Sequence, residues 1–168
     1  MTHSGRILLP WSKSCFVCGE ANPRGLRAKL YQVDARIEMS FAAPRELVGW
    51  SNVVHGGLLG TVMDEAMAWA AIVDGRSGYF AAECSIRFQK PLSVGHPCWV
   101  RARVVGTRRR LKDTEAWIED DAGVAYARGR GRYVPLPRGQ IDLFRHDFVW
   151  AEGCLDLREA LGLDPNQA

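Results

Sequence analysis

From Gly57 to Val73 nearly every position is apolar or small, so a helix over this stretch has no polar face to give to water. It should end near Asp74-Gly75, a pair suited to a helix C-terminus. At about 100° per residue, Gly57, Gly60, Thr61, Asp64, Ala68 and Ala71 fall on one narrow stripe. Leu58, Val62, Met63, Ala66, Trp69 and Ile72 occupy the other faces and can anchor a core. A carboxylate whose stripe neighbours are all small sits where something approaches closely. Because a buried Asp needs a partner, Asp64 either bonds a loop amide or an arginine, or faces a ligand. Glu65 points elsewhere and is expected to be paired or solvated at an edge.

After the helix the period changes to two. Ala82, Cys84, Ile86 and Phe88 alternate with Glu83, Ser85, Arg87 and Gln89 before Pro91. Trp99 to Val105, Glu115 to Glu119 and Ala127 to Tyr133 alternate in the same way, with a turn at Asp121-Ala122-Gly123. This predicts four antiparallel strands, apolar on one face and charged on the other, with cross-strand Arg–Glu pairs outside. The small row Ala125, Ala127, Gly129, Gly131 would let a helix lie close across the sheet. Upstream, Leu26–Asp34 and Arg36–Ala42 read as a hairpin, and Pro44–Asn52 as an irregular connection carrying Trp50. The order is hairpin, one long buried helix, four strands: an α+β fold with a helix wrapped by an antiparallel sheet. One sheet cannot cover a helix that is apolar all round, so a second copy is expected.

The chain divides into an extended leader over 1–25, a central domain over 26–136 and a tail over 137–168. In the tail, Leu155 to Leu163 reads as a short amphipathic helix. A length of 168 residues is enough to bury a sizeable core. Hydrophobic residues at 47% and charged residues at 24% are ordinary for a globular protein. A net charge of +3, without a recognition helix or a strong basic face, argues against nucleic acid. The buried helix, at about 17 residues, is marginal for a membrane span, and Asp64 and Glu65 are costly in lipid. Ile7-Leu8-Leu9, broken by Pro10, is too short for a signal sequence, and five cysteines do not suggest a disulfide framework. A cytoplasmic protein with reduced thiols is expected. The leader's Cys15-Phe16-Val17-Cys18-Gly19 is one C-x-x-C with no second pair, read as a structural loop rather than a metal or redox site.

Three segments in order then carry a resemblance. They are Cys15-x-x-Cys18-Gly19 with Asn22-Pro23-x-Gly25-Leu26, Val54-His55-Gly56-Gly57 with Asp64 nine residues after the His, and Ile86-Arg87-Phe88-x-x-Pro91-Leu92. Over roughly residues 15–136 the chain resembles the hotdog-fold acyl-CoA thioesterases, in particular the phenylacetyl-CoA thioesterase-like subgroup. The resemblance implies a homodimer or homotetramer that hydrolyses an acyl-CoA or related acyl thioester, with CoA entering only as part of the substrate and no cofactor or metal. It implies that Gly56 gives a backbone N–H to the thioester oxygen and that Asp64 is the general base or the nucleophile. His55 would orient the amide loop, touch the carbonyl or cap the helix. Gly57, Asn52 and Thr61 are candidate substrate contacts, and Arg108-Arg109-Arg110, at a strand turn, could hold CoA phosphates or be a solvated basic turn.

Asp64 lies two turns, about 12 Å, beyond Gly56, so one helix cannot serve one carbonyl with both. Two antiparallel helices of a dimer could, and the Gly60/Ala68/Ala71 stripe suits such a close approach. The chain also departs from its relatives. Ala68 and Ala81 stand where some carry Thr or Ser, and Gly49 where others carry Asn or Gln; Thr61 or Ser85 could supply a hydroxyl instead. Two alternatives stay open: a non-catalytic acyl-thioester binding protein, and a hydratase or dehydratase of the same fold, although no His follows Asp64 on the helix.

Overall fold

The computed structural model describes residues 5–137, 139–143 and 145–163. Within them the chain runs β1 (Arg6–Leu8), β2 (Trp11–Ser12), β3 (Leu30–Val33), β4 (Arg36–Phe41), β5 (Val48–Trp50), β6 (Val53–Val54) and α1 (Gly56–Gly75). It continues through β7 (Tyr79–Phe88), β8 (Cys98–Arg108), β9 (Leu111–Glu119), β10 (Ala125–Pro135) and β11 (Phe148–Val149). Seven strands form one antiparallel sheet in the order β1-β3-β4-β8-β9-β10-β7, and α1 packs across it. The expected helix and four-strand meander are both present, with the strands longer than the alternation alone marked. The helix ends at Gly75, at the expected Asp74-Gly75 stop, and Arg76 after it takes the left-handed conformation at φ 44°.

The inner faces of β8, β9 and β10 alternate as the sequence requires, whereas β7 is exposed along most of its length. Val100 and Ala102, Ala116 and Ile118, and Ala127 and Tyr133 are buried. Between the last two, Gly129 and Gly131 make room for the helix's methionines. A Cβ on Gly129 would stand 2.9 Å from Met63 Cε, and one on Gly131 3.2 Å from Met67 Sδ. On the outer face the charged rows pair across strands, with Arg103 to Glu115 at 2.6 Å and Arg132 to Asp113 at 3.1 Å.

The small stripe of α1 lies along the chain's own edge strand. A Cβ on Gly56 would meet Phe88 Cζ at 3.2 Å, one on Gly60 would meet Ile86 Cδ1 at 3.2 Å, and Asp64 reaches Cys84. Steps of four along a helix advance about 6.0 Å and steps of two along a strand about 6.7 Å, so helix and strand stay in step over three levels. The closeness expected between two helices is therefore used, at Gly56 and Gly60, by β7.

Leader and tail correct the other expectations. Arg6–Leu8 pairs with β3 and is an edge strand of the main sheet, so the boundary at residue 25 does not separate the leader from the fold. In the tail, β11 pairs with β2, Phe148 meets Trp69 edge to face at 6.5 Å, and Leu155 N–H donates to Leu8 O at 2.8 Å. These segments cover part of the helix face turned away from the sheet, which removes the need for a second copy there. No α-helix forms over the described part of 155–163. A single turn, with Leu161 N–H to Leu157 O at 2.8 Å, is cut short by Gly162 at φ 72°.

Candidate active site

The helix start is prepared by the loop before it. His55 is extended and caps α1, its Nδ1 accepting from Gly57 N–H at 3.0 Å. His55 O accepts from Leu58 and Leu59. Gly56 N–H, the first amide of the helix, has no acceptor among the described residues. A free amide at the positive end of a helix dipole favours a developing negative charge. Gly49 backs this loop, since a Cβ there would stand 2.7 Å from His55 Cα; nothing larger fits where some relatives carry Asn or Gln. Asn52 sits at the exposed turn between β5 and β6, its carbonyl accepting from Val94 N–H at 2.9 Å. Thr61 spends its hydroxyl proton inside the helix, on Gly57 O at 2.9 Å.

Two turns along, Asp64 is half-buried. Its Oδ1 accepts from the Tyr133 hydroxyl at 2.5 Å and from Cys84 Sγ at 3.4 Å, while Oδ2 has no partner among the described residues. Burial, reinforced by the bond to Asp64, pushes the Tyr133 hydroxyl well above its ordinary range. Burial, with Asp64 nearby, also raises the Cys84 thiol. Both neighbours therefore stay protonated at neutral pH and act as donors, which fixes the carboxylate through one oxygen and leaves the other available. Tyr133 and Cys84 were not among the residues singled out. A lone hydroxyl ending the small row of β10 was the signal, because a buried Tyr O–H usually finds a partner.

The other candidates do not gather here within one chain. Gly56 and Asp64 are separated by about 12 Å of helix. Arg108, Arg109 and Arg110 are exposed at the β8–β9 turn. Lys112, just after it, donates to Asp74 at 2.6 Å, so the turn stands at the far end of α1 from Gly56. Ser85 lies on the outer face beside Arg130 and Arg132, opposite to Cys84, and cannot replace the missing hydroxyls. A groove of about 1070 Å³ is not at Asp64 either. It opens beside Leu47, near the helix start, and is lined by Phe16, Arg24, Leu26 and Lys29.

The family model described as the thioesterase superfamily matches residues 51–127, which hold the β5–β6 loop, α1 and most of the meander. A thioesterase superfamily protein of known structure superposes with a TM-score of 0.67 at 20% identity, over 73% of this chain and 60% of that one. The PaaI protein of the E. coli phenylacetic acid degradation operon gives 0.63 at 19% identity, over 70% and 86%. The chain is a hotdog-fold protein. The resemblance drawn from its motifs is thereby borne out, in sequence over 51–127 and in fold more widely. A Streptococcus mutans protein bound to acetyl-CoA also shares the fold, with a TM-score of 0.58 at 12% identity, over 81% of this chain and 92% of that one. No curated protein matches the chain.

The hotdog domain holds a second cluster of reactive groups, on another side of α1 from Asp64. Glu65 accepts from Trp69 Nε1 at 3.0 Å and from Cys15 Sγ at 3.5 Å. Cys15, Cys18 and Glu65 offer donor atoms that all lie within 4.8 Å of one another. Burial, with Cys15 next to it, pushes the Glu65 carboxyl up to about 7. The hydrogen bond between the two thiols draws Cys15 down and pushes Cys18 well up. The leader's C-x-x-C thus faces the central helix, a pairing across 47 and 50 residues that no local pattern announces.

Proposed function

We propose that this protein hydrolyses an acyl-CoA, or a related acyl thioester, to free acid and thiol in the cytoplasm, at a site shared by two copies of the chain. The observation that carries the reading is the half-free carboxylate of Asp64, anchored through Oδ1 with Oδ2 unpartnered among the described residues. As a base, Oδ2 takes a proton from water as the water attacks the thioester carbonyl; as a nucleophile, it forms an anhydride that water then opens. In either case Gly56 N–H stabilises the oxyanion, and collapse expels the thiolate. His55 holds the neighbouring amide of Gly57, which keeps the first turn open toward the substrate.

The separation of Gly56 from Asp64 calls for a second chain. The outer edge of β7 is unpaired among the described residues, and Phe80 and Phe88 on that strand are about half exposed. Such a long edge is a ready template for pairing, and a homodimer or homotetramer joined there would lay two α1 helices side by side. With the helices antiparallel, Gly56 of one chain faces Asp64 of the other. The Arg108–Arg110 turn, beyond the C-terminal end of α1, would take the CoA phosphates; Asp74 beside it stands ten residues, about 15 Å, past Asp64. The acetyl-CoA bound by the S. mutans relative supports a CoA ligand. A non-catalytic binding role is the second reading, favoured by Ala68 and Ala81 in place of hydroxyl residues.

The test is thiol release from a panel of acyl-CoAs and acyl-carrier-protein thioesters by wild type and Asp64→Asn. Turnover of at least one thioester, lost in the variant, is expected. Tight binding of acyl-CoA with no turnover anywhere in the panel would replace hydrolysis with binding.

A further inference from the structure

The leader loop and the back of α1 build a second site. Cys15 and Cys18 flank a loop that curls so tightly that a Cβ on Gly19 would stand 2.4 Å from Cys15 O and 2.5 Å from Lys13 O. The curl aims Val17 N–H at Cys15 Sγ, at 3.3 Å. From the helix, Glu65 extends its Oε2 to the same place, 3.5 Å from Cys15 Sγ, while Trp69 holds Oε1. Cys18 is 1% exposed, whereas Cys15 and Glu65 are half-buried, so small solutes can reach the cluster. Glu65 has no ion pair with Lys, Arg or His among the described residues, and a carboxylate drawn partly out of water without a counter-charge is costly.

We propose that Cys15, Cys18 and Glu65 bind one Zn²⁺ that fastens the leader to the central helix. With Zn–S near 2.3 Å and Zn–O near 2.1 Å, tetrahedral geometry places sulfur and oxygen about 3.6 Å apart, close to the 3.5 Å between Cys15 Sγ and Glu65 Oε2. Two thiolates rule against Mg²⁺ and Ca²⁺, which take oxygen, and the carboxylate rules against Cu⁺, which prefers an all-soft set. Trp69 is the outer partner that orients the carboxylate. The fourth position is left for water or a small thiol. Binding requires both thiolates and the carboxylate, and any protons that the three groups hold go to solvent. The site is separate from hydrolysis at Asp64 and stands or falls without it.

Full-length protein, stripped with a chelator under reducing conditions, is titrated with Zn²⁺ against a chromophoric competitor and, in parallel, with Co²⁺. One equivalent per chain is expected, with thiolate-to-cobalt charge-transfer bands and both thiols shielded from alkylation by Zn²⁺. Cys15→Ser and Cys18→Ser should lose the bands. Glu65→Gln, which keeps both thiols, should weaken Zn²⁺ binding at least about tenfold with the fold intact by circular dichroism. Cys154→Ser, a thiol outside the cluster, should bind as wild type. Absence of a one-equivalent site overturns the proposal, as does unchanged affinity in Cys18→Ser or Glu65→Gln. A Cys15–Cys18 disulfide formed by oxidised glutathione at the same rate with and without Zn²⁺ overturns it in favour of a redox pair.

Discussion

Gly131→Ala puts a wedge behind the candidate base. The added Cβ would stand 2.6 Å from Tyr133 Cε2, 3.0 Å from Thr114 Oγ1 and 3.2 Å from Met67 Sδ. The ring of Tyr133 is fully buried and its hydroxyl is tied to Asp64 at 2.5 Å, so it has little room to yield. Restoring ordinary contact means moving the ring by about 1 Å. Overpacking of this size costs about 1–3 kcal/mol, offset by about 0.4–1 kcal/mol because alanine narrows the unfolded ensemble. A net loss of about 1–2 kcal/mol should appear as a lower midpoint in urea with an unchanged slope. Because the hydroxyl moves with the ring, kcat for any thioester turned over should fall about tenfold to a hundredfold. Gly129→Ala is the comparison, since its nearest neighbour is the flexible end of Met63 at 2.9 Å. It should cost less stability and leave kcat within about threefold. A Gly131→Ala protein with wild-type kcat, or one less destabilised than Gly129→Ala, would refute the reasoning.

Three further outcomes follow from the same geometry. Asp64→Asn keeps the volume and removes the base, so the rate should fall at least about a hundredfold in a folded protein, while Glu65→Gln should do far less; a larger loss at Glu65 would mean the wrong carboxylate has been assigned. Tyr133→Phe should lower stability by about 1.5–3 kcal/mol by urea titration, the worth of a buried hydrogen bond to a charged group, and an unchanged midpoint would discount that bond. For Glu38, burial raises the carboxyl but Arg36 and Arg101 outweigh it and hold it below 4.5. Its contribution is therefore present above pH 4.5 and lost as pH falls through the folded value, so wild type should exceed Glu38→Gln in stability at pH 7 and converge with it in acid; a constant gap would contradict the pairing.

The central helix and the meander were legible because their periods are long and unbroken. Seventeen residues without a polar face can only be buried, and the alternation from Ala127 to Tyr133 names the inner face of its strand residue by residue. The leader and tail were not. A three-residue strand before Pro10 carries no countable period, and the Leu155–Leu163 pattern is stopped by a left-handed Gly162 before it makes a helix. At the candidate site, Asp64 stands out on the helical stripe, and Gly56 enters through the resemblance at Val54-His55-Gly56-Gly57. Tyr133 and Cys84 were not legible, because their contact with Asp64 depends on how β10 and β7 cross beneath α1. The small stripe suggests a close approach between two helices, but at Gly60 the approaching residue is Ile86 of the same chain, as Phe88 is at the neighbouring Gly56.

The account turns on a site made by Gly56 of one chain and Asp64 of another, and subunit mixing measures that directly. Gly56→Pro suits the fold, since proline is accepted at the first helical position and His55 before it is extended, at φ −61° and ψ 130°. It removes the free amide and adds a Cβ 3.2 Å from Phe88 Cζ, the end of a half-exposed side chain. Gly56→Pro and Asp64→Asn should each be folded and inactive as pure proteins. Co-refolded in equal amounts, about half the dimers are mixed, each with one doubly damaged site and one intact site, so thiol release should recover to roughly a quarter of wild type. Mixed dimers, verified by differential tagging, that recover no thiol release would contradict the shared site.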